Sequence, residues 1–466
     1  MTIAKRHVSI ILSDKDTLAM ENTSEENIMG TMPEGALLFK LAMPVIFSVF
    51  VSSFYNIIDS IFVGRIGQDA LTAISLGSPV SSIMVELSFG TAVGVNAVLS
   101  RKLGEKDGSG ASRTAGQGFL LVGAVYVLCL GFGLTGVRAF YEIQTDNARI
   151  IELGMQYTQT VTVCAFGLML QNITERLLSS TGKTNLCMVI LTSGALVNIV
   201  LDPVLIFGYL GFPALGMKGA AIATVAGQCV AGVTGLFLNI KYNREVCLQA
   251  KSFLPDFSLI REIMMIAIPT TLTLSVSSIL IFSMNKVLAG LSLAAPAVYI
   301  IYNRVRSFVA LPIWGIRNTI ISIIAYNMGA DKKGRVRKTI SIALKASALI
   351  ALCGTVLYEA IPGLLLSVFS ASEEMLSIGI PAFRIIGTSL VISGMAIMMS
   401  GIFQAMKASG KAFWVSIVQA VSLAGSAALL AFTRNITLVW ISFPISKALT
   451  FLLCLFYLHG LYKKNF

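Results

Sequence analysis

Two stretches of the chain share one sequence pattern: LAMPVIFSVFVSSFYNIID, Leu41–Asp59, and IAIPTTLTLSVSSILIFSM, Ile266–Met284. Both are apolar along almost their whole length, and each has a proline at its fourth position, Pro44 and Pro269. About 20 apolar residues in a helix cross the ~30 Å hydrocarbon layer of a bilayer. A helix also bonds its backbone N–H and C=O groups internally, as the lipid interior requires. The two stretches therefore predict transmembrane helices at equivalent places in two repeats.

The rest of the chain has the composition of a membrane protein. Of its 466 residues, 55% are hydrophobic and 12% are charged, whereas soluble globular proteins have roughly 25% charged residues. Apolar runs recur from Leu37 to Leu461, six in each half, with short polar breaks between them. The predicted spans are 36–64, 70–99, 114–137, 150–176, 185–208, 217–240, 261–289, 294–326, 339–368, 375–405, 411–433 and 436–461.

Further landmarks repeat at the spacing of the two prolines. The separation of Pro269 from Pro44 along the chain, called the repeat offset below, also places LGEKD at Leu103 on MGADK at Met328. Because each half has an even number of spans, both halves enter the membrane in the same direction and form parallel repeats. Transporters use this plan, with the substrate site between the halves.

These patterns predict the architecture of the chain. We expect an all-α polytopic membrane protein with twelve transmembrane helices in two six-helix lobes related by pseudo-two-fold symmetry. The expected divisions are a cytoplasmic N-terminal tail at 1–33, a first lobe at 34–240, a cytoplasmic linker at 241–260 and a second lobe at 261–466.

The net charge of +12 reflects the orientation of the chain in the membrane. Lys and Arg are concentrated in alternate polar breaks, and the intervening breaks hold few of them. Under the positive-inside rule the basic breaks are cytoplasmic. Both termini are therefore expected in the cytoplasm and the protein in the cell (inner) membrane, and no nucleic-acid partner is expected.

Motifs for catalysis or tight metal binding are missing from the sequence. His7 and His459 lie near opposite ends, and the seven cysteines form no CxxC pair, although zinc and redox motifs need such close spacing. STGKT, which begins at Ser180, lacks the GxxxxGK[ST] spacing of a nucleotide-binding loop. We expect no enzyme activity, no cofactor and no ATPase domain, so an ion gradient or the substrate's own gradient must drive transport.

Two carboxylates stand out within the predicted spans, Asp59 in the first and Asp202 in the fifth. Asn198 precedes Asp202 by four residues, which places the amide and the carboxylate on one helix face. A charge in the bilayer costs about 2.5 kcal/mol or more and usually has a function. We interpret Asp59 and Asp202 as a site for proton or Na⁺ coupling that faces one cavity. The alternative is a structural role as buried, hydrogen-bonded carboxyl groups.

Glu86 and Pro44 also lie inside predicted spans. Glu86 either joins the acidic cluster in the substrate cavity or pairs with a basic side chain, as intramembrane charges commonly do. Pro44 removes a backbone hydrogen bond and creates a kink point, which either acts as a hinge or only shapes the helix. The spans of the second half contain basic residues, for which snorkelling and structural pairing are the expected roles: Lys286, Arg304, Arg306, Arg317, Arg384 and Lys447.

Several stretches resemble the multidrug and toxic compound extrusion (MATE) family of bacterial and archaeal transporters. They are LAMPVIFSVFVSSFYNIIDSIFVGRIG from Leu41, SRKLGEKD from Ser100, STGKTN from Ser180, NIVLDPVLIFG from Asn198, KGAAIATVAGQ from Lys218 and AYNMGADKK from Ala325. The resemblance covers about 34–464. It implies an ion-coupled antiporter of two six-helix lobes that exports drugs, often cationic amphipathic compounds, in exchange for H⁺ or Na⁺.

The resemblance also implies roles for particular residues. Some family members have a coupling site in the first lobe, built from a first-span aspartate, a fifth-span Asn-x-x-x-Asp, a fourth-span asparagine and a sixth-span threonine. By motif these correspond to Asp59, Asn198, Asp202, Asn172 and Thr224. Tyr55 and Tyr157 would border the same pocket.

Other members of this family carry carboxylates in the seventh and tenth spans. At the corresponding place in the seventh span this sequence has Met284, Asn285 and Lys286, none of which is acidic. A carboxylate site in the second lobe is therefore not expected, and no metal is expected beyond Na⁺ at Asp59 and Asp202. The added positive charge of the second lobe is compatible with an anionic or zwitterionic substrate, but cationic drugs are the first expectation.

The sequence favours a cation-coupled multidrug efflux antiporter that works by alternating access. Its expected partners are small organic cations and the lipid bilayer, and we expect it to act as a monomer. The alternative is a flippase of lipid-linked or polysaccharide precursors from the same superfamily, whose members often have fourteen spans. A major facilitator transporter typically carries GxxxDRxGRR where this chain reads RKLGEKDGSGASR, which argues against that class. A membrane enzyme would need a cluster of catalytic side chains near a membrane surface, and the sequence contains no such cluster.

Overall fold

The computed structural model describes residues 27–292, 294–369 and 371–466, and these ranges form helices joined by short turns, with no strand among them. The helices of the membrane spans are α1 (Glu34–Gly64), α2 (Gln68–Gly104), α3 (Gly108–Thr135), α4a (Ala148–Val163), α4b (Phe166–Ser180), α5 (Thr184–Phe207), α6 (Gly216–Tyr242), α7 (Phe257–Ala289), α8 (Ala295–Gly329), α9 (Lys333–Ala360), α10a (Glu373–Gly387), α10b (Leu390–Ala405), α11 (Ser409–Ala431), α12a (Ile436–Trp440) and α12b (Ser442–Asn465). Within the described ranges, ten helices are long and apolar enough to cross a membrane, or eleven with α10a and α10b taken as one span.

The fourth predicted span, 150–176, is made of two shorter helices, α4a and α4b, which have 16 and 15 residues. Together they complete the twelve-span layout, which confirms the predicted fold class. The tenth span is divided in the same way, with a 55° bend between its two helices. A hydroxyl from the preceding span satisfies a carbonyl at each break, since Tyr126 donates to Val163 at 3.2 Å and Thr355 donates to Gly387 at 3.0 Å.

Close glycine contacts between the lobes repeat at the repeat offset. A Cβ atom at Gly104 would overlap the carbonyl oxygen of Tyr326, and one at Gly329 would overlap the carbonyl oxygen of Arg101. The repeat offset relates Gly104 to Gly329 and Arg101 to Tyr326. Small residues let membrane helices approach closely. The helices α2 and α8 therefore cross at the axis that relates the two lobes.

A second reciprocal contact lies further along the same helices. A Cβ atom at Gly90 of α2 would overlap Oγ1 of Thr271 in α7, and one at Gly315 of α8 would lie 2.5 Å from Cγ1 of Ile46 in α1. The repeat offset again relates these glycines and their partners. Each lobe thus packs its first two helices against the first two helices of the other lobe.

Several helices extend beyond the predicted spans. The helix α2 continues to Gly104 instead of ending at 99, and α9 begins at Lys333 instead of 339. Hydropathy marks the part of a helix that lies in lipid, but backbone hydrogen bonding continues into water. The predicted boundaries were therefore too short at the polar end that carries Arg101 and Lys102.

The described part of the N-terminal segment begins at Asn27. Residues 1–26 of the predicted cytoplasmic tail lie outside the described residues. The short helix Ile28–Thr31 is packed into the protein, and Met29 is fully buried. The Asn327 amide of α8 donates to the carbonyl of Met29 at 2.9 Å. The segment is thereby held against the end of the second lobe from which α9 starts.

Candidate functional site

Close packing of α5 against α6 positions the predicted coupling residues. A Cβ atom at Gly194 of α5 would lie 2.8 Å from the carbonyl oxygen of Gly227 in α6, and one at Gly227 would lie 2.7 Å from that of Gly194. Asn198 follows Gly194 by one turn, and Thr224 precedes Gly227 by nearly one turn. The two glycines thus bring the amide of α5 and the hydroxyl of α6 to one cavity.

Asp202 is completely buried and is bonded to the side chain one turn before it. The Nδ2 amide of Asn198 donates to Oδ1 of Asp202 at 3.4 Å. Oδ2 of Asp202 and Oδ1 of Asn198 are buried and have no hydrogen-bond partner among the described residues. Buried polar atoms are nearly always paired with protein, water or an ion, so these two oxygens have free capacity to accept one.

Asp59 lies on α1, one turn after Tyr55, and faces the same region. Its buried Oδ1 has no hydrogen-bond partner in the described ranges. Asp202, Tyr55 and Tyr157 all lie within electrostatic range of the Asp59 carboxyl. Because such interactions fall off with distance, the two carboxylates share one environment.

A cavity of about 50 Å³ lies next to Tyr55 and Asn198, and neither Asp59 nor Asp202 is among the residues that line it. Polar side chains from four spans line it: Ser52, Tyr55, Gln171, Asn198, Thr224 and Gln228. The share of one water molecule in the liquid is about 30 Å³, so the cavity can hold one or two waters or a partly dehydrated cation. Drug-sized ligands occupy about 300–1,000 Å³ and do not fit.

Thr224 and Tyr157 approach each other at this cavity. Thr224 lines it from α6, and the side chain of Tyr157 in α4a lies next to Thr224. The structure thus brings together all but one of the residues that the family resemblance implies for ion coupling, and both of the expected bordering tyrosines.

Asn172 is the exception. Its Nδ2 amide donates to Oγ of Ser88 in α2 at 2.8 Å, which directs it away from the carboxylates. The preceding residue, Gln171, lines the cavity instead. The sequence analysis did not name Gln171. Its amide, next to Asn172, was a visible signal, but the sequence pattern alone does not define which face of α4b meets the cavity.

Glu86 lies at the contact between the lobes. Its carboxylate Oε2 accepts a hydrogen bond of 2.5 Å from the Ser275 hydroxyl in α7, and its backbone carbonyl accepts one of 3.2 Å from Thr271. No ion pair of the described residues includes Glu86. The role of Glu86 in a substrate cavity remains a prediction. The alternative was an ion pair with a basic side chain, and the structure has the Ser275 hydroxyl at that place.

Pro44 is located inside α1, which continues through it as one helix. The hydroxyl of Ser48 donates to the carbonyl of Pro44 at 2.8 Å, and the equivalent Thr273 donates to Pro269 at 2.7 Å. Hydroxyls that bond one turn back often bend membrane helices. The same local geometry therefore exists in both lobes, and the hinge role of Pro44 remains a prediction.

Arg317 is a fully buried basic residue of the second lobe. Its Nε donates to Oγ of Ser400 at 3.0 Å and its guanidinium also donates to Oε1 of Gln404 at 2.8 Å. The guanidinium carbon lies 4.7 Å from the centre of the Trp314 ring. Arg317 thus has a set of neutral partners of its own, in agreement with structural pairing.

An ion-pair cluster holds the lobes together at the end of the molecule where Asn27, the first described residue, and Phe466 lie. Glu34, the first residue of α1, lies 3.6 Å from Arg335 and 3.1 Å from Lys338 of α9. Arg335 also donates to the carbonyl of Met32 at 2.5 Å, and Lys332 donates to that of Gly30 at 3.0 Å. The sequence contained no signal for this cluster, since its two sides lie in opposite halves of the chain.

Two parts of the chain, 44–204 and 269–429, match the model of one protein family, MatE. The matches begin at Pro44 and Pro269 and are related by the repeat offset. They cover most of both lobes, including Asp59, Asn198 and Asp202 in the first match.

Known proteins of similar sequence are transporters by name. The chain is 27% identical to a FAD transporter of Shewanella oneidensis over 67% of this chain and 69% of that protein. It is 25% identical to the multidrug export protein MepA of Staphylococcus haemolyticus over 79% of this chain and 80% of that protein.

A solved structure shares the fold. It is an outward-facing conformation of a multidrug resistance MATE family transporter of the MOP superfamily, with a TM-score of 0.87 and 23% identity. The match covers 95% of this chain and 100% of that chain. Both six-helix lobes and their connection are therefore common to the two molecules.

Proposed function

Because the chain belongs to the MatE family of membrane transporters, we propose that it is a cation-coupled antiporter that exports amphipathic, mainly cationic organic compounds. The protein is a multi-pass membrane protein and not an enzyme. In this proposal it lies in the cytoplasmic membrane with both termini in the cytoplasm, as the distribution of its basic residues indicates.

The coupling ion of the proposal is H⁺ or Na⁺, bound between Asp59 and Asp202. The observation that carries the proposal is the pair of carboxylates in transmembrane helices, each with a buried oxygen that has no partner among the described residues. A carboxylate can take up a proton, and hard cations are bound by carboxylate and amide oxygens. The cavity of about 50 Å³ suits a small ion and excludes a drug.

The substrate of the proposal binds between the lobes and is exchanged by alternating access. The ion pairs of Glu34 and the glycine contacts of α2 and α8 hold the lobes together at the end of the molecule where α1 and α9 begin. This supports a state that is closed toward the cytoplasm and open outward. An ion can shift the balance of two states only if it binds them with different affinity. A movement of α1, which carries both Asp59 and Pro44, supplies that difference.

The test uses purified protein in proteoliposomes with a fluorescent cationic dye. A pH gradient and a Na⁺ gradient are imposed in separate experiments at the same membrane potential. The proposal predicts that one of them drives dye transport against the dye gradient. A protein that responds to neither gradient would contradict the proposal and favour the flippase alternative, which the assay can follow with a labelled lipid-linked sugar. Because one relative is named a FAD transporter, anionic compounds belong in the substrate panel.

A further inference from the structure

A cluster of aromatic side chains joins four helices inside the second lobe. The ring centre of Tyr302 in α8 lies 5.5 Å from that of Phe443 in α12b and 6.3 Å from those of Tyr358 in α9 and Phe383 in α10a. Tyr358 and Phe383 are 4.7 Å apart. The four helices thus converge on one group of rings.

Two basic residues lie one helical turn beyond this aromatic cluster. Arg306 follows Tyr302 by four residues on α8, and Lys447 follows Phe443 by four residues on α12b. Residues four apart share a helix face. Because the rings of Tyr302 and Phe443 are in contact, the two basic side chains extend from neighbouring points of α8 and α12b, and Lys447 lies within electrostatic range of Arg306. Two basic side chains placed together in a membrane domain need an explanation.

Neither basic residue has an acidic partner in the part of the chain that the structure describes. Lys447 is only 9% exposed and makes no hydrogen bond there, and Nε of Arg306 is buried without a partner. Arg317 shows the contrast, since its fully buried guanidinium is bonded to Ser400 and Gln404. The pair therefore differs from a buried basic residue with a structural role.

Two more polar atoms at the cluster have no partner among the described residues. The hydroxyl of Tyr358 and Nε1 of Trp440 belong to side chains that are fully buried. The Trp440 ring lies 6.0 Å from that of Phe443, and the charge of Arg306 acts on Tyr358. Trp, Arg and Lys can only donate hydrogen bonds. The Tyr358 hydroxyl can both donate and accept. None of the four groups carries negative charge, which would come from a ligand.

We propose that Arg306 and Lys447 bind the carboxylate or phosphate group of an aromatic organic anion, as a second substrate class beside cationic compounds. The planar guanidinium can bind two oxygens of such a group at once, and Tyr358 and Trp440 donate to it from the aromatic side. The rings of the cluster are almost completely buried against one another, so they part to admit the ring of the ligand and then pack against it. The physiological role of this site rests on the proposed function, but its ligand binding does not require transport.

The experiment measures binding to the full-length protein, purified in detergent, by tryptophan fluorescence and by thermal shift. The ligands are 1-naphthoate and 1-naphthyl phosphate, with neutral 1-naphthol as the matched compound without charge. Wild type is expected to bind at least one of the two anions more tightly than 1-naphthol. Arg306→Gln and Lys447→Met are expected to weaken anion binding about 10-fold or more and to leave 1-naphthol binding unchanged.

Arg304→Gln is the matched control, because Arg304 is an exposed arginine two residues away on the same helix. If either test variant does not fold, Tyr358→Phe, which removes one donor and little volume, replaces it. Equal binding of the anions and 1-naphthol by wild type, or unchanged anion binding in the variants, would overturn the inference. If anion binding fails in this way but ion-driven export of a cationic dye is intact, the proposed function remains in place. Loss of ion coupling with intact anion binding contradicts only the proposed function.

Discussion

The Nδ2 amide of Asn198 donates to Oδ1 of Asp202 at 3.4 Å, while the other carboxylate oxygen of Asp202 has no partner in the described part of the chain. The amide fixes the orientation of the carboxylate and leaves its second oxygen for an ion. Asp59 supplies a second oxygen of the same kind from α1. This relationship makes Asn198 a positioning residue in the proposed coupling site.

We expect Asn198→Ala to reduce ion-driven dye export about 10-fold, since loss of a group that orients an ion ligand typically costs 10–100-fold. The ion concentration that gives half-maximal export should rise as well. Both quantities can be measured in proteoliposomes. Asn465→Ala, at the far end of α12b, is the control and should behave as wild type. An unchanged half-maximal ion concentration in Asn198→Ala would contradict the role given to Asn198.

The glycine contacts on the pseudo-two-fold axis give a prediction of stability. Gly104→Ala and Gly329→Ala each place a methyl group in overlap with a backbone carbonyl of the facing helix. Overpacking costs roughly 1–3 kcal/mol, so both variants should melt at a lower temperature in detergent. Gly123→Ala is the control, because nothing lies within 4 Å of a Cβ atom there. Equal melting temperatures of all three variants would show that α2 and α8 are not packed as described.

Much of the fold could be predicted from the sequence. Apolar runs must become helices in lipid, and the match of Pro44 with Pro269 gave the repeat offset that also relates Gly104 to Gly329. The pairing of Asn198 with Asp202 was predictable as well, because four residues make one helical turn.

Other features depend on contacts that a local pattern does not contain. The break at Cys164 between α4a and α4b decides which side chain of α4b faces the cavity, and the structure selects Gln171 over Asn172. The salt bridge from Glu34 to Arg335 joins distant parts of the chain. The ends of α2 and α9 extend into polar sequence, which hydropathy does not report.

A disulfide across the lobes should arrest transport. The hydroxyls of Ser179 in α4b and Ser322 in α8 are 3.3 Å apart and buried. In a background without the seven native cysteines, Ser179→Cys with Ser322→Cys is expected to cross-link under mild oxidation and to stop dye export. Reduction should restore export, and either single variant should remain active when oxidised. A cross-linked protein that still exports dye would exclude separation of the lobes at this point.

The ion pairs of Glu34 should stabilise the same closed arrangement. Glu34 is largely buried, between Arg335 and Lys338, so these pairs are less screened than surface pairs. We expect Glu34→Gln to slow cross-linking of the Ser179→Cys/Ser322→Cys protein about fivefold, the equivalent of about 1 kcal/mol. Glu142→Gln removes an exposed salt bridge to Arg138 and serves as the control. Equal cross-linking rates for Glu34→Gln and Glu142→Gln would argue against this role.

Ion movement driven by substrate tests the central claim most directly. Proteoliposomes receive a gradient of the exported dye without any ion gradient, and the counter-movement of H⁺ and Na⁺ is recorded. We predict that wild type moves one of these ions in the opposite direction to the dye. Asp69→Asn is the control and should do the same, because Asp69 pairs with Arg149 near the surface. Asp59→Asn and Asp202→Asn should move neither. Substrate-driven ion movement at the wild-type rate in both variants would contradict the account.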